Sequence, residues 1–203
     1  MAKVISTLFI SADGVAEIDS DWHFPYFDEN MGRAVTEDYE AADVLLIGRV
    51  TYDSFAGAWP GREAAGGDDA AFAKQLGDVR KVVASRQPVQ FSWRNSELIE
   101  GDLLDAVAAL KADADSKGVL VPGSISVVQQ LLAAGLVDEL RLLVHPVAAR
   151  KGRRLFDDGD APYHLKVTAT EVYPTGVIRV IYAPTAAPTA AGYDEVKDQL
   201  SEG

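Results

Sequence analysis

The run Val44-Leu45-Leu46-Ile47 sets the tightest constraint on this chain. It carries no polar residue on either alternating face, so a strand made of it must be covered by other structure above and below. Gly48-Arg49-Val50-Thr51 follows at once and leads into a short helical stretch over residues 51–55. A buried strand feeding directly into a helix is the unit of a layered α/β domain.

The same alternation recurs along the chain. Residues 3–11 read as a buried strand closed by the turn Ala12-Asp13-Gly14, and residues 28–42 as a helix with Met31, Val35 and Tyr39 at four-residue spacing. Residues 57–69, rich in glycine, proline and alanine, predict an irregular loop, with a short helix over 68–76. Residues 80–85 are a further strand. Asp102 is placed to cap a helix carrying Leu103, Val107, Leu110 and Ala114 on one face. A brief strand over 118–121 precedes a helix over 124–134 that Gly135 ends. Residues 138–145 form a strand stopped by Pro146, and residues 164–172 and 177–182 pair across the turn Tyr173-Pro174-Thr175-Gly176. The expected architecture is α/β in three layers, with a central mixed sheet flanked by helices. That sheet is mostly parallel, with an antiparallel C-terminal edge. Residues 1–183 read as one domain and residues 184–203, which begin Pro-Thr-Ala-Ala-Pro-Thr-Ala-Ala-Gly, as a flexible tail.

Composition removes several classes of function. The 203 residues carry a net charge of −12, which argues against nucleic-acid and anionic-membrane partners. Absence of cysteine excludes a disulfide scaffold, a thiolate nucleophile and Cys-ligated metal centres. No apolar stretch approaches the ~20 residues needed to span a bilayer, and no apolar leader is seen, so the expected location is the cytoplasm.

Open α/β sheets bind ligands outside the carboxyl ends of their strands. Three such ends carry residues suited to phosphate. At Gly48-Arg49-Val50-Thr51 a glycine permits close approach, Thr51 offers a hydroxyl, and the next helix presents free N–H groups. Arg49 adds a planar charged fork; the plain alternative is a tight turn with a solvated arginine. Ser85-Arg86 is a pair able to hold a terminal phosphate monoester such as the 2′-phosphate of NADP, or else a surface turn. Gly123-Ser124-Ile125-Ser126 brings a glycine and two hydroxyls to a helix N-terminus, a seat for pyrophosphate or an ordinary N-cap. No G-x-G-x-x-G or P-loop signature is present. The three turns together suit an extended, multiply phosphorylated ligand.

The order of these motifs resembles a known family. Ser11-Ala12-Asp13-Gly14, Leu46-Ile47-Gly48-Arg49-Val50-Thr51-Tyr52, Val82-Val83-Ala84-Ser85-Arg86, Gly123-Ser124, Gly135-Leu136-Val137-Asp138-Glu139-Leu140, His145-Pro146 and Leu155-Phe156 occur in sequence. The set is similar to the dihydrofolate reductase-like superfamily, and within it to the reductase domain of the riboflavin-biosynthesis deaminase/reductase and its stand-alone relatives. The resemblance covers about residues 3–183. It implies an NADPH-binding fold, with Gly48 to Thr51 at cofactor phosphates, Ser85-Arg86 at the adenosine 2′-phosphate and Gly123 to Ser126 at the pyrophosphate. It also implies a homodimer paired through the C-terminal sheet edge. Two departures stand out. Pro122-Gly123 replaces a pair of glycines, and the basic stretch Ala149-Arg150-Lys151-Gly152-Arg153-Arg154 replaces a Gly-x-Gly.

For catalysis, Asp13 ends a buried strand and is the candidate acid/base, or else a turn-forming Asp before Gly14. Asp28, Glu29, Glu37, Asp38 and Glu40 read mostly as a solvated helix face. Trp22, Phe24 and Trp59 are candidates to stack a flat substrate, or to seat the first helix. His23, His145 and His164 are far apart, with His145 and His164 expected in strands and no metal expected. The leading expectation is an NADPH-dependent reductase transferring hydride to a small pterin- or pyrimidine-like heterocycle or a carbonyl substrate. The alternative is a non-catalytic nucleotide-binding module that kept the fold.

Overall fold

A computed structural model describes residues 1–156, 159 and 161–187. Eight strands, β1 (Lys3–Ser11), β2 (Val44–Gly48), β3 (Arg80–Ala84), β4 (Ser96–Leu98), β5 (Gly118–Val121), β6 (Glu139–His145), β7 (Leu165–Val172) and β8 (Ile178–Pro184), form one sheet in the order β4-β3-β2-β5-β1-β6-β8-β7. All pairs from β4 to β6 are parallel, and β6-β8 and β8-β7 are antiparallel. The layered mixed sheet with its antiparallel C-terminal edge is therefore present. The short pairing of Ser96–Leu98 against β3 is an addition to the expected strands.

Six helices flank the sheet: α1 (Ser20–His23), α2 (Glu29–Glu40), α3 (Arg49–Ala65), α4 (Ala70–Asp78), α5 (Leu103–Ala112) and α6 (Ile125–Ala133). One face, made by Val4, Leu8, Val44, Leu46, Val119 and Val121, packs under α5 and α6 through Val107, Val128 and Leu131. The alternate residues Ile5, Leu45, Ile47, Val83 and Leu120 face α2, α3 and α4 through Tyr39, Tyr52 and Leu76. The continuous apolar runs of β2 and β5 are thus buried on both sides, as their sequence requires.

Four expectations are corrected. The helix expected over 51–55 runs from Arg49 to Ala65 and takes in most of the expected 57–69 loop, with Pro60 inside it. Phe55, Trp59 and Glu63 recur at helical spacing; Trp59 packs edge-on to Phe72 at 5.3 Å, and Arg94 grips Glu63 at 2.7 and 2.9 Å. That packing overrides the local cost of glycine and proline. His164 lies just before β7, outside the strand. Pro184, expected to open the tail, closes β8, and residues 188–203 lie outside the described residues.

Asp38 is the fourth correction, because it is not solvated. It is 1% exposed, accepts a hydrogen bond from Thr7 Oγ1 at 2.6 Å, and pairs with Arg141 at 2.7 Å and Arg179 at 2.6 Å. It ties α2 to β1, β6 and β8. Asp28, by contrast, caps α2 through the backbone N–H of Met31.

Candidate functional site

Strand order places the three phosphate-type turns side by side. Ser85-Arg86 follows β3, Gly48 ends β2, and Pro122-Gly123 follows β5, and these strands are neighbours. The β2 and β5 turns touch. A Cβ on Gly48 would lie 3.0 Å from the Cβ of Ser124, and one on Gly123 would lie 3.1 Å from Thr51 Oγ1. Only glycine at both positions allows this approach, and Gly123 also has φ +150°.

Helices α2 and α5 have their first N–H groups capped by Asp28 and Asp102. Helices α3 and α6 begin at the paired turns, and their N-cap residues, Gly48 and Ser124, make no such bond. Their amides and positive dipole ends therefore remain available to an anion. Ser124 and Ser126 hydroxyls lie 3.3 Å apart beside them.

The remaining cofactor candidates divide. Ser85 Oγ closes a tight turn by donating to Gln87 O at 2.8 Å, and this leaves Arg86 exposed at its tip with no carboxylate partner among the described residues. Arg49 pairs with Asp53 at 2.9 Å on the surface, a bond weak enough to exchange for a ligand. Val50 is 69% exposed, whereas Ile125 is buried in the core and offers only its backbone.

Asp13 lies beside these turns, after β1, but its carboxylate is committed. One oxygen accepts from Ser11 Oγ at 2.6 Å and Ala149 N at 2.9 Å, and the other from Arg150 N at 2.9 Å, with Arg154 at 3.5 Å. The Ser11 hydroxyl above all, with these amides and Arg154, holds its pKa below the usual carboxylate value. It stays ionised at neutral pH and anchors the loop after β6. The 149–154 stretch is thus tied down in part by Asp13 and by Glu17, which accepts from Arg153 N at 2.8 Å.

The aromatic candidates divide, with Trp59 apart from Trp22 and Phe24. Trp59 packs with Phe55 and Phe72 in the layer of α3 and α4. Trp22 is buried, edge-on to His145 at 5.1 Å, while Phe24 is 65% exposed beside His23 at 5.0 Å. The segment from α1 through the 3-10 turn Phe24–Tyr26 folds back onto the ends of β1 and β6. It brings His23 onto His145, ring nitrogen to ring nitrogen at 3.2 Å. The three histidines are far apart in sequence, yet two of them meet. No spacing signal could have shown a pair 122 residues apart. No cluster of three or more His, Cys, Asp or Glu able to hold a metal occurs among the described residues.

Residues 2–179 match the family model of the RibD C-terminal domain. This chain belongs to that family. A protein of Bacillus subtilis (strain 168), "Uncharacterized protein YyaP", is 29% identical over 189 residues, covering 89% of this chain and 94% of its own. Among solved structures, a protein of Shewanella sp. PV-4 assigned to riboflavin biosynthesis has TM-score 0.71 at 20% identity, over 92% of this chain and 100% of its own. The diaminohydroxyphosphoribosylaminopyrimidine deaminase/5-amino-6-(5-phosphoribosylamino)uracil reductase of Thermotoga maritima has TM-score 0.63 at 16% identity. That likeness covers 91% of this chain but 57% of the Thermotoga chain. These likenesses establish the RibD reductase-domain fold, which is the dihydrofolate reductase-like fold that the order of motifs implied. No helix among the described residues is long and apolar enough to cross a membrane.

Proposed function

We propose that this protein is an NADPH-dependent reductase acting on a small pyrimidine- or pterin-like heterocycle. The observation that carries the reading is the contact between the Gly48 and Ser124 turns, which sets two uncapped helix starts side by side at neighbouring strand ends. When bound, NADPH supplies the hydride.

The chain's part is to hold and orient. The amides that open α3 and α6, with the hydroxyls of Thr51, Ser124 and Ser126, would take the pyrophosphate. Ser85 and the exposed Arg86, which has no carboxylate partner among the described residues, would take the 2′-phosphate. A protein of net charge −12 needs such local cations to hold an anion of this size. Asp13 would fix the loop after β6 rather than move a proton, and the segment of Trp22 would shield the strand ends from water. Membership of the RibD C-terminal domain family supports the reductase reading. A homodimer through β7, the edge strand at the antiparallel end of the sheet, with Val167 and Val172 exposed, belongs to the same proposal.

Calorimetric titration with NADPH and with NADH tests the cofactor site. Saturable binding that prefers NADPH is expected, and no binding to either would sink the reading. One observation favours a second reading, a nucleotide-binding module without turnover: Asp13, the acid that the sequence suggested, has no free oxygen. Tight NADPH binding with no oxidation by any pyrimidine or pterin would select it.

A further inference from the structure

His23 and His145 form a buried pair that the cofactor turns do not use. They are 4% and 0% exposed and lie at the carboxyl ends of β1 and β6, where Ser11 and His145 pair in register. Phe9, Trp22, Phe24, Tyr26 and Phe27 surround them, with ring centroids 4.3 to 5.8 Å from one or the other imidazole. Of these neighbours only Tyr26 is ionisable, and neither histidine has an ion-pair partner among the described residues.

The direction of hydrogen bonding through the pair is fixed from one end. His145 Nδ1 lies 3.0 Å from the carbonyl oxygen of Leu143. A carbonyl can only accept, so His145 Nδ1 carries the proton and, in the neutral ring, Nε2 is bare. That bare nitrogen faces His23 Nδ1 at 3.2 Å, so His23 Nδ1 must donate. The second nitrogen of His23, Nε2, is then also bare. It has no hydrogen-bond partner among the described residues, and it is not one of the sealed, unpartnered polar atoms. Phe24 and Phe27, 65% and 47% exposed, stand beside this ring. Burial with no nearby anion keeps both rings below the ordinary histidine pKa, so the pair is neutral at pH 7 and cannot serve there as a standing acid.

We propose that His23 Nε2 is a hydrogen-bond acceptor that selects the substrate. The site takes a flat heterocycle presenting an N–H or O–H to this nitrogen, stacked against Phe24 or Phe27. His145 is a positioning residue, because it fixes which nitrogen of His23 is bare. A ligand offering a carbonyl or carboxylate there would set two acceptors face to face. This proposal rests on the reductase reading and deepens it by naming the ligand atom recognised.

The test uses the full chain with 15N-labelled histidine. At neutral pH, long-range proton–nitrogen correlation spectra should show both buried rings as the Nδ1–H tautomer. An Nε2–H tautomer at His23 overturns the proposal, and this readout is independent of NADPH binding. With NADP+ present, uracil should move the His23 Nε2 resonance and bind about tenfold more tightly than 1,3-dimethyluracil, which lacks ring N–H donors. Equal binding, or no change at His23 with either probe, overturns it as well. In His145→Phe, His23 loses its acceptor, should repopulate Nε2–H, and should lose the preference for uracil. If that variant does not fold, the wild-type spectra still decide. A chain that binds no NADPH yet shows the expected tautomers and uracil preference would fail the reductase reading alone.

Discussion

Gly48 lies against Ser124 with no room for a methyl group: a Cβ at position 48 would sit 3.0 Å from the serine Cβ and overlap its hydroxyl. The obstruction falls between two helix starts, so Gly48→Ala should damage stability and cofactor binding together. Overpacking of this kind costs about 1–3 kcal/mol. NADPH affinity should fall by about tenfold or more as the α3 and α6 amides move apart. Adding Ser124→Gly removes the atom in the way and should recover most of the stability. Thermal melts of the single and double variants check this; no rescue by the second change would mean the clash is not the cause.

Arg86 stands exposed at the tip of a turn closed by Ser85 and has no carboxylate partner among the described residues. A cation left free in an acidic protein is suited to a phosphate that arrives with the ligand. Arg86→Ala should weaken NADPH by about 10- to 150-fold, the value of one charge-assisted hydrogen bond, and leave NADH nearly unchanged. Parallel titrations with the two cofactors measure the ratio. An equal loss for both would place Arg86 away from the 2′-phosphate.

Much of this site was legible because its signals are local. The runs at β2 and β5 and the glycines that follow them are contiguous in sequence, and Asp102 caps α5 from the adjoining position. What escaped depends on partners far along the chain. Asp38 looks like any acid on a helix face until Arg141 and Arg179 reach it from 103 and 141 residues away. The His23–His145 pair is hidden for the same reason. Asp13 shows a different limit. Its position at the strand end was readable, but the amides of Ala149 and Arg150 that occupy its oxygens were not.

Among the described residues, Asp38 is the one acid that pairs with both Arg141 and Arg179, whose side chains are only 14% and 12% exposed. Removing it leaves Arg141 with Glu139 and Arg179 with Glu37, and weakens the hydrogen bond from Thr7. A buried charge left wholly uncompensated costs about 3–5 kcal/mol, and that is the upper bound here. Asp38→Asn, close in shape, should therefore unfold in urea at a much lower midpoint with an unchanged slope. A shift no larger than that of an exposed control such as Glu40→Gln would show the network to be dispensable.

Acid should unfold this protein in a window set by its histidines. Burial first, and repulsion from His145 second, pull His23 from 6.5 down to about 4, and burial lowers His145 as well. Between those values the unfolded chain binds protons that the folded chain refuses, so stability rises with pH there. The contribution is complete above about pH 6.5 and is lost as pH falls toward about 4; for His23 alone it is on the order of 3 kcal/mol. The two rings share a hydrogen bond and will titrate as a unit. The carboxylates with lowered values, Asp13, Asp28, Asp43, Glu63, Asp78 and Glu139, begin to lose their stabilising contribution as pH falls through the ordinary carboxylate range and finish losing it at still lower pH. Urea unfolding at about pH 7 and about pH 5 reads chiefly the histidines. The wild type should lose most of that increment, and His23→Phe, which keeps an aromatic ring but cannot bind a proton, should lose markedly less. Identical losses in the two proteins would show that the buried pair does not govern the acid limb.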